Sequence, residues 1–319
     1  MNKWSLEWYK YIHNHMAENW SWCALSENPN LTWNTVMRNQ HAPWVFGAMS
    51  KNPNITWDIV VANLHLPWDY QIMSENPNLT WDIIVKHPRL NWDYELLSAH
   101  PAITWPIIVE HQLLPWCWYN ISRNPNITWD IICANPNPQY EWNMKGFSRN
   151  PNFRIEFIKI RELRYDWDYY ALAQNPAISL EDKKKYQRKL CWINDMNINN
   201  IPNLDWEYLR GYTDYWKYGR HPAITWDIVM AHTDMPWKHL SQNPNISWDI
   251  VDRHTNETEW CFLYLSTNTF EKERYRYIEN AYRRHFMEHI HPELMSVIWH
   301  PDNIARFHEW GEECAVASC

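Results

Sequence analysis

The chain has 319 residues, 45% of them hydrophobic and 21% charged, the composition of a folded, soluble protein and not of a disordered one. Glycine numbers only 5, and G-x-G-x-x-G, G-x-x-x-x-G-K-[ST] and G-x-S-x-G are all absent, which removes glycine-dependent phosphate loops and the nucleophile elbow of α/β-hydrolases. A formal net charge of −8 disfavours generic tracking of nucleic acid through its phosphates.

The first residues, MNKWSLEWYKYIHNHM, lack the apolar stretch of a secretory signal, and no segment reaches 18 consecutive apolar residues, so neither leader nor membrane span is expected. Ser5, Leu6, Glu7 and Trp8 open a helix expected to cap the array that follows, with a cap over about residues 1–19. From there one phrase recurs, as SENPNLTWDIIV at Ser74 to Val85, with close copies at Ser26 to Val36, Ser50 to Val61, Ser122 to Ile132 and Ser241 to Val251. Its proline slot is filled at Pro29, Pro53, Pro77, Pro101, Pro125, Pro151, Pro176, Pro202, Pro222 and Pro244, at a spacing of 24 as far as Pro125 and of 20 to 26 afterwards. A tryptophan stands four residues after the proline at Trp33, Trp57, Trp81, Trp105, Trp129, Trp206, Trp226 and Trp248. A second series stands nine residues before the slot, at Trp20, Trp44, Trp68, Trp92, Trp116, Trp142, Trp167 and Trp260 (the last before Thr269, where proline is lost). These two series hold 16 of the 25 tryptophans, and a fixed period of this size means a stacked repeat array.

The segment Ile-Thr-Trp-Asp-Ile-Ile-Val is rich in β-formers, but its degenerate copies favour helix. In the same slot Ser179 opens SLEDKKKYQRKL, near to a capping box and followed by three consecutive lysines that a buried strand would not accept, and FRIEFIKIREL from Phe153 carries apolar residues at helical spacing. The typical copy then reads as a short helix with Thr80 as N-cap, Asp82 at the positive end of the helix dipole, and Leu79 with Ile84 as a hydrophobic staple. The second half-unit, NWDYELLSAHP, reads as another helix with Asn91 as cap, and the proline ends it. Helices of about 8 residues, spanning about 12 Å, are unstable alone. A buried indole returns up to about 5 kcal/mol, so the slot tryptophans are expected to anchor the core.

The fold class expected is therefore all-α: an elongated α-solenoid of helix-turn-helix repeats of about 24 residues over 1–269, with a helical cap over 270–319. Within it, the x of S-x-[NH]-P varies freely (Glu27, Lys51, Glu75, Ala99, Arg123, Arg149, Gln174, Gln242), as do turn residues His65, Lys86, Arg89, Glu110 and His111; any specificity is expected there. The His-Pro pairs read as alternative turn residues in place of Asn-Pro. From Phe270 the phrase stops and FEKERYRYIENAYRRHFMEHI reads as a longer amphipathic helix, with Tyr275, Ile278, Tyr282, Phe286 and Met287 near one side, followed by two pieces broken by Pro292 and Pro301. In it His285, Glu288 and His289 spell H-x-x-E-H, the order of one class of zinc peptidase, but no glycine-bearing scaffold surrounds them and they read as a polar face. Arg274, Arg276, Arg283 and Arg284 form a basic face that would dock an acidic partner. Seven scattered cysteines without C-x-x-C point to a reducing compartment, and the eight N-x-[ST] sequons read as products of turn chemistry.

The phrase NPNITWDIV, alternating with PWDY-x-x-LS from about Trp20 to Thr269, resembles the tryptophan-repeat family carried in many copies by amoeba-infecting giant DNA viruses of the Marseillevirus group. The resemblance implies a viral interaction scaffold and supplies no catalytic or ligand-binding residue. The expectation is a non-enzymatic protein–protein scaffold for viral or host partners, without metal or cofactor, in host cytoplasm or virus factory, with host nucleus or virion as other sites. Alternatives are a nucleic-acid reader with exposed aromatics, a virion component, or the zinc peptidase.

Overall fold

The computed structural model describes residues 2–159, 166–185, 206, 210, 218–232, 235–254 and 260–298. They form an all-α repeat solenoid with no strand, and the chain divides into two compact units, Met1–Phe270 and Glu271–Cys319. In the first unit each described repeat contributes a leading helix after Asn-Pro-Asn, or its variants His-Pro-Ala and Asn-Pro-Ala, and a trailing helix before the next such turn. Leading helices have six residues, as in Trp33–Arg38, Trp57–Ala62, Trp81–Lys86, Trp105–Glu110, Trp129–Ala134, Trp226–Ala231 and Trp248–Arg253. Trailing helices such as Phe46–Met49, Tyr70–Met73 and Tyr94–Ser98 have four or five, shorter than the sequence pattern implied. Three apolar side chains per repeat fill the interior: in the third, the staple residue Leu79, Ile84 and Leu97 are all buried.

The dipeptide Trp-Asp does two different jobs. In the leading helix Asp82 lies in the first turn while Thr80 Oγ1 accepts from Ile83 N at 3.4 Å. In the trailing helix the cap is Asp93, not Asn91 as expected, and its carboxylate accepts from Glu95 N at 2.8 Å and Leu96 N at 3.1 Å. A carboxylate satisfies two orphan amides more strongly than the Asn carbonyl would. Starting the helix there also leaves Trp92 free to reach back. Its indole Nε1 donates to the carbonyl of His87, the residue that ends the preceding leading helix, at 3.0 Å. Trp20, Trp44, Trp68, Trp116 and Trp142 make the same bond to His15, Asn39, Asn63, His111 and Asn135. Phenylalanine would fill much of the space and leave that carbonyl open.

Neighbouring repeats are joined through buried amides. Asn76, 3% exposed, donates from Nδ2 to Ser50 O at 2.8 Å and Asn52 O at 3.2 Å in the repeat before, while its Oδ1 accepts from Asn78 N. Asn78 donates from its own Nδ2 to Pro53 O at 2.8 Å, and the hydroxyl of Ser74 accepts from Asp93 N at 2.9 Å in the repeat after. The same rungs recur at Asn52, Asn124, Asn150, Asn175 and Asn243. Sequon residues Asn54, Asn78, Asn126 and Asn245 thus have their amide nitrogens engaged within the array.

The array was expected to be elongated, with capped free ends, yet its first and last repeats are joined by these same rungs. Asn28 donates to Ser266 O at 3.0 Å and Asn268 O at 3.1 Å, Asn30 donates to Thr269 O at 2.8 Å, and Ser21 N donates to Ser266 Oγ at 2.9 Å. Trp20 meets Phe262 edge-on at 5.0 Å, as Trp92 meets Tyr70 at 5.9 Å. The N-terminal helix Asn2–Asn14 takes the place of a leading helix at this seam. On one side Trp4 Nε1 donates to Asn30 and Ser5 Oγ lies 2.7 Å from Thr35 Oγ1. On the other, Trp4 and Tyr11 both stack on Trp248, at 5.1 and 4.8 Å, and Tyr11 donates its hydroxyl proton to Asp252. Among the described residues, the first and last repeats of the first unit are therefore joined as neighbouring repeats are.

Where the phrase decays the structure adapts. The copy at Phe153 is a 3-10 helix, Ile155–Lys159, and not an α-helix; Ile155 is buried in the tryptophan slot. Ser179 does cap its helix, accepting from Asp182 N at 3.1 Å and donating to the Asp182 carboxylate. In the second unit Glu271–His285 runs through a π turn, Phe286–Ile290, into His291–Ile298. Pro292 was expected to break this run; it lies in the first turn of the last helix, where a missing N–H is tolerated. Pro301 lies outside the described residues.

If the seam is equivalent to an ordinary junction, Asn28→Ala and Asn52→Ala will each destabilise the protein by about 2–3 kcal/mol in urea titrations, the cost of unsatisfied buried carbonyls. A much smaller loss for Asn28→Ala would show that the ends do not stay joined in solution.

Candidate functional site

The tryptophan anchors fall into two environments. Of the trailing series Trp20, Trp44, Trp68, Trp92, Trp167 and Trp260 are buried, and Trp116 and Trp142 half-buried. The leading series, Trp33, Trp57, Trp81, Trp105, Trp129, Trp206, Trp226 and Trp248, is half-buried throughout. Its rings are held between repeats: Trp57 packs on His87 at 4.9 Å and Trp92 at 6.0 Å, and Trp81 on His111 at 5.0 Å and Trp116 at 6.1 Å. Trp226 packs on His254 and Trp129 stacks on Phe157 at 4.7 Å. His111, read from sequence as a freely varying turn residue, is therefore part of this packing.

The His-Pro copies reproduce the amide rung with an imidazole. His100, 5% exposed, accepts from Ala102 N through Nδ1 at 3.1 Å, as Asn76 Oδ1 accepts from Asn78 N. Its Nε2, which then carries the proton, lies 3.0 Å from Asn76 O. His221 accepts from Ala223 N in the same way. Burial, which disfavours the charged ring, pushes the His100 pKa below its ordinary 6.5, against the bond to Asn76 O, which favours it. Lys183 is the other displaced group. One of the three consecutive lysines that argued against a strand, it is nevertheless 1% exposed and stands where Val60, Ile84 and Val251 stand in other repeats, and burial pushes its ammonium down to about 8.

The remaining sequence candidates lie in the second unit. His285, Glu288 and His289 are all exposed; the two imidazoles stack at 4.6 Å, and His289 Nδ1 lies 3.3 Å from His285 O. No cluster of three metal-capable side chains occurs among the described residues. Arg276, Arg283 and Arg284 are exposed and Arg274 partly so, with Arg283 paired to Glu279 at 2.8 Å. At about 100° per residue the first three fall on one side of the helix and Arg274 opposite. Tyr275, Tyr282, Phe286 and Met287 are exposed and not packed as a core face.

Among the variable surface positions, Lys51 Nζ lies 3.2 Å from Glu27 and 3.9 Å from Glu75, linking three successive repeats, and Arg149 pairs with Asp168 at 2.6 Å. An open depression of about 330 Å³, lined by Leu113, Leu114, Trp116, Trp118, Gln139 and Tyr140, carries no carboxylate, imidazole or thiol. The exposed thiols Cys23 and Cys133 are pushed above the ordinary thiol range by burial and, secondarily, by Glu27 and Asp130 respectively.

A feature missed in the sequence is a row of exposed apolar side chains at the fifth position of the leading helices: Met37, Val61, Val85 and Val109, at 45, 46, 51 and 37%, and Met230 at 54%. Asp58, Asp82 and Asp227, three residues earlier on the same helix side, are exposed too. The signal was available: of the three aliphatics in Trp-Asp-Ile-Ile-Val only the middle one is fully buried, and the last falls on the side of the aspartate.

Two pH effects follow. Stability attributable to neutral His100 is complete above about pH 6.5 and falls as the pH drops through its lower folded value, so His100→Asn will match the parent above that pH and exceed it increasingly below. For Lys183 the unfolded chain holds the proton between about pH 8 and 10.5 and the folded chain does not, so stability rises with pH across that window. Lys183→Ile will abolish that rise and add about 1–4 kcal/mol at neutral pH in urea titrations, as removing a buried charge does. Comparison with protein-family models, curated proteins and solved structures finds no match to this chain.

Proposed function

We propose that this protein is a non-enzymatic interaction scaffold that binds protein partners through the outward side chains of its repeats. One observation carries this reading: framework positions are occupied with neighbouring repeats while the outward ones vary or expose apolar groups. The Asn amides, Ser hydroxyls and six of the trailing indoles have partners in the next or preceding segment, as with Asn76, Ser74 and Trp92. What remains for a partner is the x of Ser-x-Asn-Pro and the leading-helix surface.

A reader of bases would need ring faces open to stacking. The leading tryptophans have theirs against His87, His111, Phe157 or Tyr11, which opposes that alternative. No described helix is long and apolar enough to cross a membrane. The resemblance of the phrase to tryptophan-repeat proteins of amoeba-infecting viruses makes amoebal extract, with or without infection, the natural source of partners, and host cytoplasm or virus factory the proposed place of action.

Full-length protein immobilised at low density and exposed to such an extract will retain discrete proteins whether or not the extract has been nuclease-treated, and free protein in excess will compete them off. Retention of nucleic acid alone, or of proteins only when nucleic acid is intact, would overturn the reading.

A further inference from the structure

The leading-helix row has a composition that specifies its partner. Met37, Val61, Val85 and Val109 come from four successive repeats and are 37–51% exposed, although each side chain could have been polar at no cost to the interior. The buried contacts of these helices are made one residue earlier, by Val36, Val60, Ile84 and Ile108. Surface apolar residues scattered singly need no explanation, but one per repeat at the same helix position is a stripe in register. The same stripe resumes at Met230.

Charge runs alongside it. The seven leading helices headed by tryptophan, among the described residues, carry seven carboxylates (Asp58, Asp82, Glu110, Asp130, Asp227, Asp249, Asp252) against three cations, Arg38, Lys86 and Arg253, whereas Leu180–Lys185, where the phrase has decayed, carries three lysines against Glu181 and Asp182. Two of these cations face local partners: Arg38 bonds to Asn34, and Arg253 lies 4.0 Å from Asp249. Helix-dipole stabilisation accounts for an aspartate in the first turn. It does not account for an apolar residue three positions on, nor for Glu110 at a helix end, where a carboxylate is unfavourable.

We propose that this stripe docks a polypeptide segment that alternates apolar and basic side chains, its apolar groups on Met37, Val61, Val85 and Val109 and its cations on Asp58, Asp82, Glu110 and Asp130. The inference rests on the scaffold reading and names the chemistry of the partner. Packed helices lie about 8–10 Å apart, and a chain in the polyproline-II conformation advances about 3.1 Å per residue with every third side chain on the same side. One repeat therefore matches about three residues of such a segment.

The probe that follows is a fluorescein-labelled peptide of five Leu-Lys-Ser triplets, with Leu-Glu-Ser and Ser-Lys-Ser versions as controls. Fluorescence anisotropy with the full-length protein will show binding of the Leu-Lys-Ser peptide, at least tenfold weaker binding of both controls, and weakening with salt. The triple variant Val61→Ser, Val85→Ser, Val109→Ser changes only exposed side chains. It will retain the parent's circular dichroism and urea midpoint and lose at least tenfold in affinity; Asp58→Asn with Asp82→Asn will reduce the salt dependence. Equal binding of the Lys and Glu peptides, or unchanged binding by the triple variant, overturns the inference. So does concentration-dependent self-association of the unliganded protein that the triple variant abolishes, which would make a second copy the occupant. If the peptide fails while extract proteins are still retained equally by parent and triple variant, this docking surface is wrong and the scaffold reading stands.

Discussion

A buried carboxamide that bonds in two directions is the constraint on which the first unit depends. Asn76 turns its own loop by accepting from Asn78 N and simultaneously ties that loop to the carbonyls of Ser50 and Asn52. A loop buried without such partners would leave several carbonyls dry, at a cost of about 1–3 kcal/mol each. Because one side chain does both, turn geometry and repeat spacing are coupled. That coupling explains why the Asn-Pro-Asn triplet is kept while helix lengths fall to four residues. Histidine is accepted in the slot because its ring offers an acceptor and a donor at similar positions, as His100 and His221 show.

The tryptophans divide the remaining work. The trailing indoles are long enough to lie in the interior and still place an N–H at the end of the preceding helix, so they act as C-caps from outside the helix they cap. The leading indoles fill the gap between repeats and carry a ring from the following segment on one face. Helices of six residues have no stability of their own. They persist because their apolar side chains are packed in the interior and because a trailing indole closes the C-terminal end of several of them.

Much of this was legible in the sequence. The period, the helical state and the staple pair Leu79 and Ile84 follow from spacing and from degenerate copies whose lysines exclude strand. What failed was local or topological. Asn91 was chosen as cap because it precedes the tryptophan, but Trp92 has to stay in extended chain to reach His87, which moves the start to Asp93. The three consecutive lysines from Lys183 were used only to argue against a buried strand, and that Lys183 itself would be buried went unnoticed although its register is that of Val60. Closure was invisible for a different reason: curvature accumulates from small rotations per repeat that no residue encodes singly, and only the total decides whether Asn28 meets Ser266. Nor does Asn268 betray it, because its amide already donates to Ser241 O and Asn243 O in the repeat before and would be kept in an open array too.

Closure changes what the surface can do. An open solenoid has two ends whose unpaired rungs would template further stacking, and it needs polar caps to stop it. Here Ser266, Asn268 and Thr269 are engaged by Ser21, Asn28 and Asn30, so the rung-forming groups at the seam are used internally. Binding must then use side chains and not repeat addition. The outward positions supply them in register, one Asp and one aliphatic per typical leading helix, on a framework whose described repeats are tied to their neighbours by rungs. A partner held along such a row meets preorganised groups, and the entropy of aligning them has already been lost in folding.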